Sequence, residues 1–327
     1  MKRIAKLLLL VSVLGVAWTA GSAPARAQAL APAVLALYPP EAGELVFVDL
    51  QSARRSPHYG RLKEQVLPER YRELERWARQ LGVDFDRAVD RLSWAFINTG
   101  DPANSDFVGV AEGTYYLDEI QKVAAASKLR VKAYRSASLY YLGKNEAGRE
   151  FVFAFPDNAR LIFGYSELVE AMLDRSTQGG RSLLDNAEMR ALVEQVNRRA
   201  SIWLVLDGQY TQLGVRQLLG EATQVPGAET LAQRVRSATV RLSLDRNMAA
   251  TLTAGCASTT DALWFSTFLE GALFFQRQRL NQSNPTLARI LSEARIERAG
   301  DHISLAVAVP ENDMVALLEA HSFSLNF

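Results

Sequence analysis

Three histidines, one cysteine and a scatter of serines and aspartates are the side chains in this sequence able to do chemistry near neutral pH. His58, His302 and His321 stand far from one another and from Cys256, so no pair has the spacing of a zinc site on a helix or strand. Asp49 and Asp207 each close an apolar run, Leu45-Val46-Phe47-Val48-Asp49 and Ile202-Trp203-Leu204-Val205-Leu206-Asp207. Facing one cleft, they would bind a cation or act as paired carboxylates. Taken singly, each ends its strand by bonding local backbone amides, the commoner use of aspartate. In Gly164-Tyr165-Ser166-Glu167-Leu168 a serine follows a strand and precedes a helix, but a leucine replaces the second glycine of a nucleophile elbow, and Ser166 reads as an N-cap. His302 reads as a surface or edge residue, because a histidine needs a partner before it is a candidate base. Asp84, Asp86 and Asp90 lack the glycine and the terminal glutamate of a calcium loop. Cys256 lies in an apolar strand-like run and reads as buried and inert. No catalytic residue, metal site or cofactor follows from these spacings, and there is no phosphate-cradling glycine loop.

The least ordinary segment is 262–275, Ala-Leu-Trp-Phe-Ser-Thr-Phe-Leu-Glu-Gly-Ala-Leu-Phe-Phe. It is too short for a membrane span and carries Glu270. A helix apolar all round is either enclosed in a core or docked to a partner. Enclosure is the usual fate of such a segment. For a partner, which would be another envelope protein, the candidate contacts are Trp264, Phe268 and Phe275. Asp49 and Asp207 complete the set of candidate binding residues.

The elements that must position these residues are preceded by an export pattern. Lys2, Arg3 and Lys6 lead into the apolar run 7–18, and Ala25-Arg26-Ala27 offers small residues for cleavage before Gln28. Cleavage after Ala27 sends the mature chain to the periplasm or the medium. It also removes four cationic residues and takes the formal charge from +1 to −3. A near-neutral chain lacks the concentrated basic face of a nucleic-acid binder or of a polybasic membrane-surface protein. With 48% hydrophobic and 22% charged residues the composition is globular. Roughly 300 mature residues exceed the size at which single cores stop growing. One cysteine permits no internal disulfide, so packing must supply the stability.

Strands are expected at 45–51, 92–97, 107–111, 129–134, 138–142, 151–155 and 161–163, with 92–97 and 107–111 paired across the turn-rich stretch 99–104. An amphipathic helical region covers 59–81, with a break near Pro68. Thr114 is read as the cap of a helix from Tyr115, and Ser166 opens another that runs to 173. A further helix spans 188–198. Strands 202–206, 240–244 and 250–254 then lead into a helix from Ser258, and a closing strand 303–309 precedes a helix at 313–320. These repeat the order of the first half at separations of about 145 to 158 residues, which points to a duplicated α+β unit. The last residues, 323–327, alternate apolar and polar and suit an edge strand or a tail offered to another protein's sheet.

Pro40-Glu41-Ala42-Gly43-Glu44, the strand ending at Asp49, then Ser56-Pro57 and a long helix resemble a set of uncharacterised exported bacterial proteins in which the α+β unit occurs twice. That resemblance implies a duplicated antiparallel sheet with helices on one side, and it brings no catalytic residue. The expected class is α+β: two related halves, each a mostly antiparallel sheet with helices packed on one face. The expected divisions are a signal peptide over 1–27, a mobile leader over 28–40, a first half over 41–175, a linker over 176–186 and a second half over 187–327. The functional expectation is an exported, soluble, non-catalytic binding module of the cell envelope, without nucleic acid, cofactor or a transmembrane helix in the mature chain. The rival is an envelope hydrolase whose active site assembles only in the fold, recognisable by His302 beside a serine and an acid or by Asp49 with Asp207. A self-associating structural protein is a third reading, and the oligomeric state is not legible.

Overall fold

The computed structural model describes residues 29–66, 69–97, 106–145, 148–197, 200–219, 228–320 and 322. The expected signal peptide and cleavage point, Pro68, the turn-rich stretch 99–104, His321 and the tail 323–327 lie outside the described residues. The chain forms two compact units, one of Gln28–Gln51 with Leu67–Ala191, the other holding Ser52–Val66 with Leu192–Phe327.

In the first unit, strands β1 (Ala42–Asp49), β2 (Val89–Ile97), β3 (Asp106–Gly113), β4 (Val131–Tyr134), β5 (Ala137–Lys144), β6 (Glu150–Asp157) and β7 (Arg160–Tyr165) form an antiparallel sheet in the order β1-β2-β3-β7-β6-β5-β4. Consecutive Leu45, Val46 and Phe47 are all buried, as a strand covered on both faces requires. The amphipathic helix Glu69–Gln80 buries Tyr71, Leu74 and Ala78 at three- and four-residue spacing and sets Trp77 against Phe151, ring centres 4.3 Å apart. Helices Leu117–Ala126 and Ser166–Gln178 bury Ile120 with Ala124, and Val169 with Met172 and Leu173.

Several local expectations are corrected here. Residues 29–40 are a packed part of this unit: Leu30, Val34, Leu35, Leu37 and Tyr38 are buried, and Tyr38 accepts a backbone hydrogen bond from Leu183 at 2.8 Å. Their apolar spacing, Leu30-Val34-Leu37, gives them a core-facing side that a polar leader would lack. Much of the expected linker is ordered in the same way. The helix runs on to Gln178, and a 3₁₀ turn at Leu183–Asp185 is closed by a reciprocal Ser182–Asp185 capping box. The helix expected from Tyr115 begins at Leu117, because the Tyr115 side chain is buried and its hydroxyl donates to the Ala111 carbonyl at 3.0 Å. Ser166 is the first helical residue and Tyr165 the cap; the Ser166 hydroxyl turns to Glu167 instead.

In the second unit, β8 (Ile202–Leu206), β9 (Val235–Leu244), β10 (Met248–Cys256), β11 (Arg295–Ala299) and β12 (His302–Val309) form an antiparallel sheet in the order β8-β9-β10-β12-β11. This is the path β1-β2-β3-β7-β6 of the first unit. In both, a strand is followed by an antiparallel hairpin, a helical crossover, and a strand that returns beside the hairpin and leads into a helix, Ser166–Gln178 or Glu311–Glu319. The β4–β5 hairpin is peculiar to the first unit. In the second, helices Thr259–Ser283 and Pro285–Ser292 occupy the place of Leu117–Ala126.

The segment Ser52–Val66, assigned by sequence to the first half, is tied into the second unit. Ser56 donates to the Asp245 carbonyl at 2.8 Å and Gln65 to the Leu318 carbonyl at 2.8 Å, and His58 Nε2 stands 3.8 Å from Glu311. Among the described residues no helix is long and apolar enough to cross a membrane.

Candidate functional site

The helix Thr259–Ser283 is set by its first turn. Ser258 caps it, with Oγ accepting the Asp261 amide at 3.1 Å and donating to the Asp261 carboxylate at 2.6 Å, while Arg234 donates to the other carboxylate oxygen at 2.6 Å. These partners, Ser258 first and Arg234 next, hold the Asp261 carboxyl below the usual carboxylate range. The fixed end aims one helix face at the sheet, where Ala262 and Phe265 join Val215, Ala232, Val235, Ala254, Cys256 and Ile303 in a core cluster. Cys256 is buried there, and burial, followed by the charges of Asp261 and Asp301, pushes its thiol up to about 11.

The opposite helix face is apolar too, and it faces solvent. Leu263, Trp264, Phe274 and Phe275 are 48%, 64%, 55% and 73% exposed, four of the six large exposed hydrophobic residues among those described. Leu263 to Phe274 and Trp264 to Phe275 are each eleven residues apart, close to three full turns, so the four side chains share one stripe roughly 16 Å long. Phe274 and Phe275 meet edge to face with ring centres 5.8 Å apart, a contact that pre-orders the C-terminal end of the stripe. Thr267 and Glu270 lie exposed along the same surface.

The residues singled out from sequence therefore fall in different places. Trp264 and Phe275 stand on the exposed stripe. Phe268 is half-buried at the margin of the core cluster and stacked on Phe265 at 6.5 Å. Leu263 and Phe274 belong to the stripe although only their neighbours had been singled out; counting eleven-residue intervals within 262–275 would have found them. Asp207 bonds local backbone: its Oδ1 accepts the Tyr210 amide at 2.9 Å at the start of the helix Gly208–Leu219. Asp49 is fully buried at the end of β1, in register with Arg91.

A cleft of about 270 Å³ in the first unit is lined by charged side chains, among them Arg91, Glu112 and Arg160. Its cations already have carboxylate partners, Glu112 at 3.3 Å from Arg91 and Asp157 at 2.5 Å from Arg160. Burial raises the Glu112 carboxyl above its ordinary range against the pull of those arginines. Among the described residues no group of three or more histidines, cysteines or acids is placed to hold a metal ion.

No protein-family model matches the chain, and no curated protein matches it. Two solved structures similar to it are crystal forms I and III of the protein TP0453. Their identities are 10% and 11%, each alignment covers 88% of this chain and 97% of that one, and the TM-scores are 0.49 and 0.48. Likeness at that level carries no argument about residues or activity.

Proposed function

We propose that this chain is an exported cell-envelope protein that works by binding another protein, and that the face Leu263, Trp264, Phe274 and Phe275 is the surface it offers. One observation supports this reading most: the helix has already filled its core contacts with Ala262, Phe265 and Leu273, yet holds four large apolar side chains in water on the other side. Isolated exposed hydrophobic residues need no explanation, but two exposed apolar pairs on one side of a helix, Leu263 with Trp264 and Phe274 with Phe275 three turns on, with Thr267 and Glu270 between them, make a candidate interaction surface. Its spacing suits insertion of a helix face into an apolar groove of a partner, with tryptophan and phenylalanine as anchors.

The charges favour a protein groove over a lipid surface. Helices that lie in membrane interfaces are rich in lysine and arginine along their polar face. This one carries Asp261 and Glu270 against Arg277 and Arg279 and has no lysine, so nothing concentrates positive charge beside the aromatics.

Export rests on the pattern of Lys2, Arg3, Lys6, the apolar run 7–18 and Ala25-Arg26-Ala27. N-terminal sequencing of the protein from the envelope or medium tests it: a start at Gln28 supports export with cleavage, and a start at Met1 in the cytoplasmic fraction overturns it. The docking reading is tested by purifying the protein with its bound partner from solubilised envelopes and substituting Trp264→Ser with Phe275→Ser. Anchor residues of a helix-in-groove contact contribute about 2 kcal/mol or more each, so the pair should reduce recovery of the partner by roughly a hundredfold or more. Equal recovery would contradict the reading.

A further inference from the structure

The other face of the second unit's sheet holds a second arrangement, independent of the aromatic helix. Gly255 on β10 is in register with Ser237 on β9 and with His302 on β12, and directly opposed residues on antiparallel strands project from the same face. One residue along, Ala254 and Ile303 belong to the core beneath the helix Thr259–Ser283. The row Ser237, Gly255, His302 therefore lies on the sheet face away from that helix. β12 runs between β10 and β11, so His302 is an exposed residue of an interior strand and not of a sheet edge.

The side chains converge over the glycine. A Cβ at position 255 would stand 2.7 Å from Ser237 Oγ and 3.6 Å from His302 Nε2, so any other residue there would fill the space into which both groups point. His302 Nδ1 lies 2.6 Å from the Asp301 carboxylate. A carboxylate can only accept, so Nδ1 carries the proton of this bond, and in the neutral ring Nε2 is left as the acceptor. Nε2 is the ring nitrogen that borders the space over Gly255, which Ser237 Oγ borders too. A base oriented by an acid, with a hydroxyl across a one-residue gap, is a nucleophile–base–orienter set assembled from three strands.

We infer that Ser237, His302 and Asp301 form a serine-hydrolase centre for short-chain acyl esters. Ser237 is the nucleophile, His302 the general base, and Asp301 a positioning residue that holds the imidazole. In the first half-reaction Ser237 Oγ bonds to the ester carbonyl carbon as its proton passes to His302 Nε2 through one water in the gap over Gly255. The imidazolium then returns that proton to the departing alkoxide oxygen, which releases the alcohol and leaves an acyl-serine. In the second, water attacks the acyl-serine while His302 accepts its proton, and Ser237 regains a hydrogen as the acid leaves. In the next row on this face Thr253 and Ser304 are half-buried hydroxyl-bearing residues beside the buried Thr239, which suits a short acyl group on a polar alcohol better than a long alkyl chain.

The test is reaction of the full-length protein with a fluorophosphonate probe, followed by mass mapping of the adduct. The expected adduct is on Ser237 and absent from Ser237→Ala. Labelling in His302→Gln should be slower by about a hundredfold or more, the range lost with a general base. Gly255→Ala should block labelling by closing the gap. Asp301→Asn should slow it, and Asp301→Glu should restore part of the rate, which a purely structural aspartate would not do. Thermal unfolding of each variant separates loss of reaction from loss of fold, and Ser237→Ala and His302→Gln lie on a polar face where such changes are tolerated. No adduct at Ser237 in the folded protein, or equal labelling with and without His302, overturns the assignment. Either result leaves the docking face untouched, since Trp264 and Phe275 take no part in it.

Discussion

The Tyr38 hydroxyl lies 2.7 Å from Ser93 Oγ, both fully or nearly fully buried, which fastens the segment before β1 to the centre of the first unit's sheet. Burial raises the Tyr38 phenol far above its ordinary value, so it stays protonated at any pH the protein meets. Tyr38→Phe leaves a buried serine hydroxyl short of a partner and should cost about 1–2 kcal/mol in urea unfolding. Combining it with Ser93→Ala should cost less than the two single changes added together, since the pair is then removed whole.

The inner and outer faces of the helix Thr259–Ser283 should respond in opposite ways. Phe265 is 4% exposed in the core cluster, and Phe265→Ala should destabilise the protein by about 3–5 kcal/mol. Trp264→Ser and Phe275→Ser, on the exposed stripe, should each change stability by no more than about 0.5 kcal/mol. Thermal melts of the three variants make the comparison; a large loss from Phe275→Ser would show that its face is packed.

Asp261 gives the same helix a pH dependence. Its carboxyl is held below the ordinary value by Ser258 and Arg234. A depressed folded-state value means that the stabilisation is complete above the unfolded value, about 3.9, and is lost as pH falls through the lower folded value. Hydrogen exchange in the first turn, residues 259–263, should therefore rise below about pH 4. Asp261→Asn should remove that dependence; an unchanged pH profile in the variant would contradict it.

Cys256 is buried, and its thiol is pushed up to about 11, so the thiolate is scarce at neutral pH. A maleimide or disulfide reagent at pH 7 should modify it only after denaturant is added. Rapid modification of the native protein would mean that the cluster beneath the aromatic helix opens.

The duplicated architecture was legible in the sequence because each unit repeats long apolar strand runs at matching separations, and the hairpin of β2 and β3 announced itself through two strand-like runs flanking a turn-rich stretch. Chain segments whose partners are remote were not legible. Residues 29–40 look like a leader until Tyr38 meets Ser93, and Ser52–Val66 follows β1 in sequence while bonding to Asp245 and Leu318. The aromatic segment was recognisable by composition, but its composition says nothing of which side faces the core. Phe268 and Phe275 are equally apolar and, two turns apart, leave nearly the same side of the helix; Phe268 meets the core cluster and Phe275 does not because they stand at different points along it, which composition does not tell. Ser237 carried no signal, since its relation to His302 depends on the register of β9, β10 and β12 about Gly255.

The central claim, that the stripe on Thr259–Ser283 receives a protein partner, is tested most directly by photo-crosslinking in the native envelope. A photoreactive residue is placed in turn at Trp264, Phe274 and Phe275, with Phe265 as the buried control. The account predicts adducts from all three outer positions to one and the same envelope protein, none to another chain from Phe265, and loss of the Phe274 adduct when Trp264→Ser and Phe275→Ser are introduced beside it. Adducts confined to lipid or to this chain itself would contradict it.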